Sequence, residues 1–98
     1  MEALLRCLVN RGMFSGEVAV RGKTSDGTEF SLFVPEDFVE ANLSATADQS
    51  VDGWLRVEVL AREGALILVR LPSQTFENGQ TVTVRDDQVE NRARREPV

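Results

Sequence analysis

A few short stretches of the chain hold residue types that do chemistry. "GKT" at 22–24 has the ending of a phosphate-binding P-loop, and "DQSVDG" at 48–53 has the aspartates and glycine of a calcium loop. Glu36-Asp37 and Asp86-Asp87 are paired carboxylates, and Cys7 is the single thiol. Each falls short on spacing. A P-loop needs a further glycine where this chain has Glu17, and a helix afterwards, where "SDG" makes a turn instead. The aspartates at 48–53 lack the ligand spacing of a calcium-binding hand. Adjacent carboxylates on an extended strand point to opposite faces, so either pair shares a cation only inside a turn. The chain has no histidine, which removes the commonest general base, the Ser-His-Asp and Cys-His arrangements and nearly all zinc sites. Cys7 stands among Leu5, Leu8 and Val9, with Arg6 and Arg11 as the cations near enough in sequence to activate it, and reads as a small core residue. The expectation is a protein that is not an enzyme, with no metal, no cofactor and no small-molecule ligand implied.

Composition sets the frame for those residues. Ninety-eight residues make one small domain, and 42% hydrophobic content supports a modest core. Sixteen acids against eleven bases leave a formal charge of −5, which repels a phosphate backbone at long range. Nucleic acid is therefore the less expected partner, although Arg92, Arg94 and Arg95 cluster near the C-terminus. A lone cysteine permits no internal disulfide, which fits a reducing compartment. "MEALLRCLVN" is too short and too charged for a signal peptide, and no run approaches the roughly 18 apolar residues of a membrane span. A cytoplasmic protein with no membrane partner is expected.

Two hairpins organise the chain. Residues 16–35, "GEVAVRGKTSDGTEFSLFVP", match residues 53–72, "GWLRVEVLAREGALILVRLP", in their punctuation: Gly16, Gly27 and Pro35 against Gly53, Gly64 and Pro72. In each, a strand-like run meets an acid–glycine pair and a second run ends at proline. Glycine there supplies positive φ without steric cost. The match reads as an internal duplication. With a loop of Asp26-Gly27-Thr28, Ser25 faces Glu29, and one face collects Val18, Val20, Phe30, Leu32 and Val34. The other face takes Glu17, Arg21, Lys23, Glu29 and Ser31 with Ala19 and Phe33. The equivalent second loop, Glu63-Gly64-Ala65, puts Leu55, Val57, Val59, Ala61, Ile67, Val69 and Leu71 together. A one-residue slip scrambles both faces, while a two-residue turn plus a bulge preserves the pairing. Such hairpins bury little alone, so the expected fold is all-β and mainly antiparallel: a small SH3-like barrel or sandwich. A C-terminal strand at 80–85 follows the Asn78-Gly79 turn signal.

The connecting pieces are less regular. "PEDFVEANL" supports a short helix over 35–42, opened by Pro35 with Glu36 and Asp37 in its first turn. "SATADQSVDG" reads as a polar loop, and residues 1–10 suit either a strand or a helix. Residues 1–89 form the expected domain and 90–98 a disordered tail. "VPEDFVE" at 34–40 is echoed by "VRDDQVE" at 84–90, which reads as a repeated strand-exit turn. "DGWLR" and "VPEDFVE" resemble the "GWW" and "PSNYV" signatures of Src-homology-3 domains. Those domains read proline-rich peptides on a tyrosine-lined groove, and this chain has no tyrosine. The resemblance thus implies the barrel shape and not the ligand.

One surface remains. The outer face of the second hairpin carries Trp54, Arg56, Glu58, Leu60, Arg62, Leu66, Leu68 and Arg70, with Glu58 across from Arg70, Leu60 beside Leu68 and Arg62 beside Leu66. Either the N-terminal segment or the linker covers it as a second core layer, with Leu4, Leu8, Met13 and Phe14 packed there, or it is a contact surface. Tryptophan, leucine and arginine together resemble an interface centre. The expected partner-binding residues are Trp54, Arg56, Leu60, Arg62, Leu66, Leu68 and Arg70, and the expected partner is another protein or the chain itself. The competing reading is nucleic-acid binding through Arg56, Arg62, Arg70 and the arginine tail.

Overall fold

A computed structural model describes residues 1–11, 16–41, 50–77 and 79–91. Alternating apolar and polar residues write the strands β1 (Glu2–Arg11), β2 (Glu17–Lys23), β3 (Glu29–Pro35), β4 (Val39–Glu40), β5 (Val51–Glu63), β6 (Leu66–Arg70), β7 (Thr81–Arg85) and β8 (Val89–Asn91). All pair antiparallel in one sheet of order β3-β2-β1-β5-β6-β7, with β4 added to β5 and β8 added to β1. The sheet curls into a half-barrel around a single core. That core takes alternate residues of each strand, among them Leu5, Val9, Val20, Leu32, Leu55, Val57, Ile67, Val69 and Val84. Each of these branched side chains contributes about 1.5–3 kcal/mol on burial. The fold is thus the expected small β architecture, and the open choice at residues 1–10 resolves to strand.

The apolar faces are those expected, but the strand registers differ in detail. In the first hairpin Val20 pairs with Leu32 and Lys23 with Glu29, two residues away from the expected pairing. The loop is Ser25-Asp26-Gly27. Thr24 N–H bonds Thr28 O at 2.8 Å, Gly27 N–H bonds Thr24 O at 3.0 Å, and Gly27 takes φ +89°. Asp26 decides this. Its carboxylate accepts from the Thr24 hydroxyl and, at 3.1 Å, from Thr28 N–H, and these bonds hold its pKa down at about 2. A shift of two residues preserves side-chain alternation, so the faces survive the error.

In the second hairpin the turn is Gly64-Ala65, with Gly64 at φ +60°, and Glu63 pairs with Leu66. A bulge between Val59 and Ala61 then restores the expected Glu58–Arg70 pair. Beyond the bulge Ala61 pairs with Leu68 and Arg62 with Ile67, so neither Leu60 with Leu68 nor Arg62 with Leu66 forms the expected directly opposite pair. Ala61 moves to the outer face, where it is exposed, instead of joining the core.

The strand pairing shows an internal repeat, but its spacing is not the one that the glycines suggested. Leu55 pairs with Leu5 and with Val39, while Leu5 pairs with Val89. Leu5 therefore corresponds to Leu55 and Val39 to Val89, a constant spacing of 50. Val9–Val20 corresponds to Val59–Val69, and Val18–Val34 to Ile67–Val84, with β2 and β6 offset by 49 instead of 50. β1 to β4 thus repeat as β5 to β8, about a pseudo-twofold axis through the Leu5–Leu55 pair. The two hairpins aligned by sequence, β2-β3 and β5-β6, occupy different places in this repeat. The echo of 34–40 in 84–90 belongs to it: each stretch leaves a strand, makes one 3-10 turn (Glu36–Phe38 or Asp86–Gln88) and enters a short strand. The expected helix over 35–42 is reduced to that turn. Val39 and Glu40 gain more by pairing with β5 than by continuing a helix with no buried residue. Val89–Asn91 likewise belong to β8, so the domain runs past residue 89.

The sheet edges are guarded. Along β3, Ser31 N–H and hydroxyl donate to Glu77 at 2.8 and 3.0 Å, and Phe76 N–H donates to Ser31 O at 2.9 Å. Ser25 N–H donates to Thr83 O of β7 at 2.8 Å, bringing the first hairpin's tip to the opposite edge. Met13, Phe14, most of the polar loop, Asn78 and the tail arginines Arg92, Arg94 and Arg95 lie outside the described residues.

Candidate functional site

The expected binding residues divide into two groups along β5 and β6. At the hairpin's far end Leu60, Leu66 and Leu68 are 38%, 43% and 36% exposed, with Ala61 exposed beside them. The expected second layer does not cover them: β1 lies beside β5 in the same sheet, not over it. Leu4 is fully buried, whereas Leu8 is partly exposed. Arg62 turns away from this patch, because the bulge pairs it with inward-facing Ile67.

At the other end Trp54 and Arg56 are half-buried. Ala61, which stands opposite Leu68, lies roughly 23 Å along the strand from Trp54 at about 3.3 Å per residue. The Arg6 guanidinium lies 5.3 Å from the indole centroid, and that of Arg56 lies 5.9 Å from the Phe38 ring. Arg56 also faces Glu2 at 4.0 Å, and Arg70 meets Glu58 at 3.3 Å as the sequence led us to expect. Two of the three hairpin arginines are thus charge-paired inside the chain, which weakens any phosphate-binding stripe there. Arg6 was not foreseen, because only the β1–β5 register brings it to Trp54.

Where β1 and β5 change partners, grooves open. The free edge of β1 pairs with β8 at residues 3–5 and with β2 at 8–11, leaving Arg6 and Cys7 between. A groove of about 350 Å³ lies there, lined by Arg6, Leu8, Arg21, Lys23 and Asp52, with Arg85, Asp87 and Gln88 of the second 3-10 turn region. The edge of β5 likewise pairs with β4 at 54–55 and with β6 from Glu58, leaving Arg56 and Val57. Its groove, about 360 Å³, is lined by Glu2, Phe38, Arg56, Glu58 and Arg70. Under the repeat these grooves are counterparts: Arg6 matches Arg56, and the Leu8–Arg21 pair matches Glu58–Arg70. The Cys7 thiol lines the first groove but is buried. That burial, and secondarily the charge of Asp52, push its pKa up to about 12. Lys23 of "GKT" sits on the groove wall in a strand, without the helix a P-loop requires. Among the described residues, no three metal-ligating side chains gather, and no helix is long and apolar enough to cross a membrane. No protein-family model, no curated protein and no solved structure matches this chain.

Proposed function

We propose that the chain is a non-enzymatic interaction module that associates with another protein, or with a second copy of itself, through the outer face of the β5–β6 hairpin. The carrying observation is the leucine patch at the far end of that hairpin. Leu60, Leu66 and Leu68 all lie at this end of the ribbon and are 38%, 43% and 36% exposed. Exposing three leucines at one place costs solubility, and contiguous apolar patches of this kind are typically contact surfaces. The ribbon around them is held by the Glu58–Arg70 pair and the Gly64 turn, so the patch is presented on a defined backbone.

The double variant Leu66→Ser/Leu68→Ser tests it. Light scattering over a concentration series reads self-association, and binding to an immobilised wild-type chain reads partners. The expected result is that association present in the wild type disappears in the variant while the melting temperature stays within a few degrees. Wild-type chain that remains monomeric and binds nothing, or a folded variant that associates unchanged, would end the proposal.

A further inference from the structure

We propose that the groove between β2 and β8 is a binding site for a carboxylate group, held by Arg21 and Lys23 with Arg6 at its rim. The inference comes from the two grooves that the internal repeat places at equivalent positions. Both halves keep the same two arginines, Arg6 with Arg21 and Arg56 with Arg70. In the β4–β6 groove the chain supplies counter-charges itself, with Glu58 hydrogen-bonded to Arg70 at 3.3 Å and Glu2 4.0 Å from Arg56, whose buried Nε has no hydrogen-bond partner among the described residues. In the β2–β8 groove the counterpart of Glu58 is Leu8, the cross-strand neighbour of Arg21. Arg21 donates instead to the Ser50 hydroxyl at 3.1 Å, a neutral acceptor. Asp52 is the counterpart of Glu2, yet Arg6 makes no ion pair with it. Lys23 adds a cation where the other half has Pro72. Among the described residues, Arg6, Arg21 and Lys23 enter no ion pair.

Charge then selects the class of ligand. Arg85 and Asp87 satisfy each other at 3.1 Å, which leaves three cations facing Glu29 and Asp52 in the same groove. One positive charge is left over, matched by a singly charged oxyanion and exceeded by a doubly charged phosphate. The planar fork of Arg21 meets both oxygens of a carboxylate, and Lys23 supplies a point charge beside it. Leu8, 38% exposed, offers an apolar wall for the carbon that bears the group. Strand alternation adds a main-chain contribution. Val59 N–H bonds Met1 O, so odd residues of β1 face β5, and Arg6 directs its N–H and C=O into the gap between β2 and β8. A groove of about 350 Å³ admits a small organic acid or the last residues of a chain ending in a free carboxylate.

The test is a titration of the whole chain, at constant ionic strength, with acetate, propionate, inorganic phosphate, and a tetra-alanine peptide with free or amidated C-terminus. Amide shifts of residues 6–8 and 21–24 follow binding, and Trp54 emission reports any movement of Arg6. Saturable shifts with the carboxylates, weaker with phosphate and absent with chloride, are expected. Arg21→Gln should weaken binding about tenfold or more. Leu8→Glu, which copies the Glu58 arrangement at an exposed position, should do the same in a chain of unchanged circular dichroism, while Glu58→Leu should leave this groove's affinity intact. Response to acetate and propionate identifies free acids as ligands. Response to the free peptide and not to its amide, with small acids inert, identifies a chain end. Absence of saturable shifts, retention of full affinity in both Arg21→Gln and Leu8→Glu, or phosphate binding at least as tight as propionate overturns the proposal.

Discussion

At the scale of single residues, environment governs reactivity more than residue type does. Cys7 lies in a groove lined by Arg6, Arg21 and Lys23, and neighbouring cations elsewhere activate a thiol. Here burial raises its pKa to about 12 from 9.0, with Asp52 adding to the effect, so thiolate is scarce at neutral pH. Ellman's reagent at pH 8 should label the folded chain at least roughly a hundredfold more slowly than the chain in denaturant. Equal rates would mean that the thiol is accessible. The same shift links to stability. An unfolded thiol ionises near 9.0, whereas the folded one keeps its proton until about 12. Its contribution is therefore complete below pH 9 and is lost as pH rises through that window. The apolar neighbours of Cys7 already identified it as a core residue, and the structure adds the cause of its inertness.

At the scale of elements, strand faces were legible and strand partners were not. Alternation of apolar residues within β2, β3, β5 and β6 predicts the buried side of each, because side chains alternate at every residue. The hairpin punctuation, by contrast, points to a spacing of 37, whereas the strands repeat at 50. Glycine-tipped turns and proline at strand ends answer to φ, so any two hairpins share them and alignment on them is uninformative about equivalence. The echo of 34–40 in 84–90 carries the true spacing, and the pairing makes it whole, with Leu5 and Leu55 meeting on the pseudo-axis, both fully buried. Leu5→Ala and Leu55→Ala should each cost about 2–5 kcal/mol in urea unfolding and should agree within about 1 kcal/mol. A large inequality would show that the halves do not share the core evenly. The second hairpin takes the alternative that the sequence left open, a two-residue turn plus a bulge, here at Val59/Ala61. The sequence did not choose it, since one inserted residue leaves the ladder beyond it unchanged.

At the scale of the whole molecule, the halves are interlocked. The first half lends β4 to β5, and the second lends β8 to β1. Neither repeat can leave without stripping a strand from the other, and both fill one core. Unfolding should therefore be a single transition, with Trp54 emission and far-ultraviolet circular dichroism superimposing in urea. Trp54 reports the β4–β5 contact, where it pairs with Glu40, while circular dichroism reports every strand. Two separated midpoints would show that the halves melt independently.

Local chemistry in the chain determined its β character, the turn glycines, the buried faces and the want of familiar catalytic groups. Each of these depends on the preferences of a few neighbouring residues. Tertiary structure alone decided that the repeat spans whole strands, the exposure of Leu60, Leu66 and Leu68, the meeting of Arg6 with Trp54 and the two partner-switch grooves. These depend on which strands lie side by side, a choice settled by shared burial across the whole sheet.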